Sequence, residues 1–146
     1  MPVQGGDVLL FHLPSLYMTN FASCRCPIEC RLMRRDEPWS CTIYLRRIDP
    51  SHGSESFGLS KEQFGEVIKD KELLENRIFG AQLAILNPNT PARTFWNANA
   101  NSTASTELTF SPDIVCLEIA GPDYSNLSFV DLPGMFYDLG HSILLY

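Results

Sequence analysis

Within the 146 residues, the run Val130-Asp131-Leu132-Pro133-Gly134 carries the clearest chemical potential. It is an apolar strand that ends in Asp and then turns through Gly. A carboxylate at the carboxyl end of a strand can hold Mg²⁺ through water, at the place where open α/β sheets bind ligands. The Gly that follows lets a backbone N–H approach a terminal phosphate. Asp131 is therefore a candidate metal residue, and Asp131 with Gly134 a candidate cofactor-binding pair. No residue stands out as catalytic. As a bare D-x-x-G the pattern also fits an ordinary Asp-x-Pro-Gly turn.

The cysteines offer a second possibility. Cys24, Cys26, Cys30 and Cys41 lie close together in sequence, with Cys116 apart. Four thiolates could bind zinc, but structural zinc sites usually present a C-x-x-C knuckle that aims two sulfurs at one metal. Here Cys24, Cys26, Cys30 and Cys41 fall on the apolar phase of two alternating segments, where Cys acts as a small hydrophobe. The core reading is the stronger. His12, His52 and His141 are far apart, and none sits beside a nucleophile–base set.

The elements that must position these groups can be read from periodicity. Cys24, Cys26, Ile28, Cys30 and Leu32 alternate with Arg25, Pro27, Glu29 and Arg31, which predicts a half-buried strand beginning near Pro27. After a charged turn at Arg34–Pro38, Trp39, Cys41, Ile43 and Leu45 alternate in the same way, so Arg25–Arg47 reads as a hairpin. Asp49–Gly58 is turn chemistry throughout. Ser60 with Gln63 could open a short helical turn, a reading that Gly65 weakens. Asp70 is an N-cap candidate, and Leu74, Ile78, Ala81 and Ile85 give a helix one apolar face up to Asn87-Pro88. Asn97–Thr106 is small, polar and without period, so it reads as a flexible loop. Asp113–Ile119 and Leu127–Leu132 are apolar runs that predict strands covered on both faces. The expected fold is an open α/β sheet with one main helix.

Composition narrows the class. Hydrophobic residues make up 45% and charged residues 19%, an ordinary globular mix for one domain. Lys and Arg number 11 against 17 Asp and Glu, a net charge of −6, which weighs against a nucleic-acid partner. No apolar run reaches the roughly 18–20 residues needed to span a bilayer, so direct membrane insertion is not expected. Met1–Ser23 lacks the basic start of a secretory signal, and the chain reads as cytoplasmic with reduced thiols.

Phe110–Met135, reading FSPDIVCLEIAGPDYSNLSFVDLPGM, resembles the stretch leading into the D-x-x-G motif of dynamin-family GTPases, where a Pro-rich turn joins two strands and the second reads L-x-x-V-D-L-P-G. Upstream, Arg25-Cys26-Pro27-Ile28-Glu29-Cys30-Arg31-Leu32 is similar to the segment after that family's switch I threonine, T-R-x-P followed by an apolar strand. Ala81–Pro88, AQLAILNP, is similar to a helix end typical of fungal dynamin-like proteins. The likeness runs over residues 25–136 as a partial dynamin-type G domain. Residues 1–24 form an unmatched N-terminal segment and residues 137–146 an unmatched tail.

The resemblance implies a P-loop-GTPase-like sheet, GTP and Mg²⁺ as ligands through Asp131 and Gly134, and a parent activity of GTP hydrolysis coupled to membrane remodelling. It also marks departures. The chain contains no G-x-x-x-x-G-K-[ST] phosphate loop. Cys24 stands where the switch I Thr would ligate Mg²⁺, and a thiol is a poor ligand for a hard cation. The base-reading T-K-x-D is absent as well. The expectation is a truncated, incomplete P-loop-GTPase-like sheet that does not turn over GTP alone. It would self-associate or pair with a dynamin-like relative, and Val8-Leu9-Leu10-Phe11 could fill the slot of the missing phosphate-loop strand. The alternative is a small non-enzymatic interaction module that pairs through an exposed sheet edge.

Overall fold

The computed structural model describes residues 25–48 and 59–132. Within them lie β1 (Ile28–Arg34), β2 (Ser40–Ile48), β3 (Leu59–Gln63), the helix α1 (Leu74–Leu86), β4 (Ile114–Gly121) and β5 (Leu127–Asp131). The strands form one mixed sheet in the order β3-β2-β4-β1-β5. β1 runs parallel to β4, and every other pairing is antiparallel. The described chain is therefore α/β, with α1 joining the sheet's core on one face.

Alternation sets the first two strands as expected. Ile28, Cys30 and Leu32 of β1 and Cys41, Ile43 and Leu45 of β2 are buried, and their polar neighbours are not. The expected hairpin is not formed, however, because β4 lies between β1 and β2. β4 is the strand with the most to gain from two neighbours: Val115, Cys116, Leu117 and Ile119 are all buried, on both of its faces. The link between β1 and β2 steps over the end of β4. Arg35 N–H donates to the Gly121 carbonyl at 3.0 Å. A side chain at Gly121 would touch the Tyr124 ring and come within 3.8 Å of the Trp39 Cα, so Gly lets this crossing lie close. The Trp39 indole N–H donates to the Tyr124 hydroxyl at 2.9 Å and fastens it.

Two further expectations are corrected. Ser60–Gln63 belongs to strand β3, held by antiparallel pairing with β2, and is not a helical turn. β5 is not covered on both faces: it is an edge strand of the described sheet, and Leu127 and Val130 are half exposed. Val8–Phe11, Cys24, the turn Asp49–Gly58, Gly134 and all three histidines lie outside the described residues.

Asp70 caps the helical segment as its position suggested. Its carboxylate accepts from Glu72 N–H at 3.0 Å and opens a 3-10 turn, Lys71–Leu73, that runs on into α1. The apolar face of α1 is wider than the four spaced residues, because Gly80, Leu83, Ala84 and Leu86 are buried too. At the other end the Asn87 amide donates to the Leu83 carbonyl at 2.8 Å and accepts from Glu107 N–H at 3.1 Å. Leu108 N–H donates to the Leu86 carbonyl, so the long loop before β4 closes the helix terminus. Part of that loop is a 3-10 turn, Ala92–Phe95, with no periodic signature in the sequence.

Gly80 marks where this turn meets α1. A Cβ there would lie 2.2 Å from the Phe95 carbonyl oxygen. In an open helix Gly→Ala gains about 1 kcal/mol; here Gly80→Ala is expected to destabilise the fold by about 1–3 kcal/mol through overpacking. A urea-unfolding midpoint lower than wild type checks it, and a higher midpoint would mean that the two backbones are not in contact.

Candidate functional site

Asp131 is the last residue of β5 and pairs with Ile28, the first residue of β1. The antiparallel register thus brings the end of the D-x-x-G strand to the start of β1. The same end of the sheet holds the start of β4, since Ile28 also pairs with Val115. Asp131 is half-buried and Leu132 after it is exposed. The carboxyl end of β5 coincides with the amino ends of the parallel pair β1 and β4, so Asp131 does not sit at the crevice those two strands would make at their carboxyl ends. Gly134 lies outside the described residues, so only one member of the candidate pair has a described position.

The surroundings of this end are built from backbone and side-chain links. Ser111 N–H donates to the Arg25 carbonyl at 3.0 Å, and the Arg25 guanidinium donates to Thr106 Oγ1 at 2.9 Å. Asp113 accepts from Ile48 N–H at 3.0 Å, tying the end of β2 to the start of β4. The two bonds of Arg25 fix the chain entering β1. Among the described residues no group of three or more His, Cys, Asp or Glu side chains converges as a metal site.

Of the cysteines expected in the core, the three with described positions take them. Cys26, Cys30 and Cys41 are buried on the α1 side of the sheet, and burial pushes each thiol up to about 12. Cys116 is on the opposite face, where its thiol donates to the Glu29 carboxylate at 3.9 Å. All four are free thiols. Protonated, buried sulfur is a poor nucleophile and a poor ligand. The sign of the resulting pH dependence is fixed. Above the ordinary thiol value near 9 the unfolded chain releases protons that the folded chain keeps, so the unfolded state binds fewer and stability falls. Full thiol stabilisation is expected below pH about 9, with progressive loss toward 12. Urea midpoints at pH 8 and pH 10, the latter lower, check it; equal midpoints would mean that the thiols titrate freely in the fold.

What sequence reasoning did not assemble is the ion-pair ladder on the face opposite α1. Glu29 of β1 pairs with the guanidinium of Arg46, which reaches from β2 across β4. Arg31 lies 3.6 Å from Glu29 and 3.9 Å from Glu118. Lys61 of β3 lies 2.9 Å from Glu118 and stacks 4.0 Å over the Tyr44 ring. Glu29 is only 16% exposed in its side chain, so its pairing with Arg46 is the most sheltered of these. The polar phases of the first two strands were the available signal. Their partnership needed the order of the strands, since Glu29 and Arg46 meet only across β4. With charges alternating along it, this face is built for ion pairing and not for an apolar layer.

No protein-family model matches the sequence, and no curated protein matches it.

Proposed function

We propose that residues 25–136 are a partial dynamin-type G domain that keeps the D-x-x-G strand and does not itself hold or hydrolyse GTP. The observation that carries this reading is the antiparallel register of β1 and β5, with Ile28 opposite Asp131. In the family the residues just before β1 and at the end of β5 both face the Mg²⁺ ion, and this register brings those two points of the chain to one end of the sheet. Among the described strands β5 has only β1 beside it, which supports the same reading, because in the parent fold the phosphate-loop strand lies beside the strand that carries Asp131. Asp131 would then be the residue that approaches Mg²⁺ through water, and Gly134 the residue whose N–H approaches the terminal phosphate. Neither supplies the row of N–H groups and the Lys that cradle a triphosphate. The genomic DNA upstream of the Arg25 codon tests the family assignment. A frame encoding a strand and G-x-x-x-x-G-K-[ST] is expected there, and its absence would remove the dynamin reading.

A second reading rests on a different observation. Leu127 and Val130 of β5 are 50% and 55% exposed and Leu132 just after it 58%, and β5 has one neighbour among the described strands. That combination suits a non-enzymatic interaction module that pairs through its sheet edge.

A further inference from the structure

Ten prolines punctuate the chain, and only two of them follow a hydroxyl residue, in Thr90-Pro91 and Ser111-Pro112. The structure separates the two. Ser111 is 5% exposed, its Oγ accepts from the Asp113 N–H at 3.2 Å, and its N–H donates to the Arg25 carbonyl. Thr90 is partly exposed, and Pro88, Asn89, Pro91 and Arg93 around it are exposed. Thr90 closes the turn Asn87–Thr90: its N–H donates to the Asn87 carbonyl at 3.0 Å, and Pro88 takes the position such a turn favours for Pro. The chain then leaves through Pro91 at φ −55° and ψ 131°, an extended polyproline conformation. Arg93 follows three places after Thr90, whereas Ile114 stands three places after Ser111.

We infer that Thr90 is the acceptor of a proline-directed protein kinase, and that its phosphate loosens the loop held at the end of α1. The inference is independent of the nucleotide reading. Recognition uses what this segment presents: a ring without an N–H directly after the acceptor, in extended backbone, and a guanidinium two residues further on for an acidic site of the kinase. In the transfer, a bond forms from Thr90 Oγ1 to the γ-phosphorus of ATP as that phosphorus parts from its bridging oxygen. ADP leaves with the electron pair, and the hydroxyl proton passes to the base of the kinase. The consequence lies in what the hydroxyl touches. It donates to one oxygen of the Glu107 carboxylate at 3.4 Å, and the Asn89 amide donates to the other at 2.8 Å. Glu107 N–H and Leu108 N–H bond to Asn87 and Leu86, so Glu107 sits where the loop closes the helix. A phosphate carries about −1.5 to −2 charge at pH 7, which turns the donor into an anion facing an anion.

Treatment of the folded full chain with a purified cyclin-dependent kinase and Mg-ATP, followed by mass spectrometry of its peptides and urea unfolding, tests this. Phosphate is expected at Thr90 and not at Ser111, and Thr90→Val should abolish it. Arg93→Ala should slow the transfer about tenfold or more, the loss of one hydrogen bond between charged groups. The unfolding equilibrium of the phosphorylated chain should shift about three- to tenfold toward the unfolded state, the size of one lost hydrogen bond. Because Glu107 is exposed, the shift should shrink at high salt, and Glu107→Gln should reduce it as well. An unmodified folded chain overturns the proposal, and so does phosphate found at Ser111 in place of Thr90. Phosphate at Thr90 with an unchanged midpoint, or a shift that Glu107→Gln leaves as large, overturns the loosening of the loop.

Discussion

Leu117→Ala lowers the unfolding free energy by about 2–5 kcal/mol, the range for emptying a fully buried aliphatic site. Leu117 is 2% exposed at the centre of β4, with Cys30 of β1 on one side and Ile43 of β2 on the other. Domains of this size hold only about 5–15 kcal/mol in all, so the substitution takes a large part of the total. Val130→Ala, on the exposed strand at the edge of the described sheet, should stay within about 0.5 kcal/mol. Urea unfolding of both variants separates the two positions. The contrast follows from strand order: were β1 and β2 adjacent, β4 would flank the sheet and Leu117 would lose a neighbour on one side. Similar small losses at both positions would contradict the central place of β4.

That strand order is also where the sequence ran out. Alternation at Cys26–Leu32 and Cys41–Leu45 gave both strands and the correct inward faces, because a period of two is a local property. Asp70 and the spacing from Leu74 to Ile85 gave α1 for the same reason. Pairing is not local. A short charged link between two strands reads as a hairpin turn, and nothing within Arg34–Pro38 says that it must arch over Gly121. The clue lay far away, in the near-continuous apolar run of β4, which needed neighbours on both edges. β3 was missed because Lys61 and Glu62 give it no apolar face of its own; it is held by its ladder to β2 and by Lys61 with Glu118. The apolar run of β5 suggested burial, yet its exposure depends on what lies beside it, which a run of apolar letters does not encode.

Of the site, Asp131 was legible as a strand-terminal carboxylate, and its position opposite Ile28 was not. The Glu29–Arg46 pair escaped notice because 17 residues and one intervening strand separate its members. Cys26, Cys30 and Cys41 were legible as core residues because their phase matched that of Ile28, Leu32 and Ile43.

The nucleotide question carries the largest expected effect. An affinity near 1 μM corresponds to about −8 kcal/mol and one near 1 mM to about −4. The difference is of the size that a phosphate loop supplies through converging N–H groups and a Lys, and the chain has no such sequence. One carboxylate reaching Mg²⁺ through water and one N–H leave the triphosphate largely to solvent. Titration of the full chain with a fluorescent GTP analogue in the presence of Mg²⁺, followed by a phosphate-release assay with GTP, measures this directly. The expected result is no saturation below about a millimolar, no phosphate release above the buffer rate, and no change with Asp131→Asn. Saturation in the low micromolar range that Asp131→Asn abolishes would contradict it, and would show a complete phosphate site in a chain without the phosphate loop.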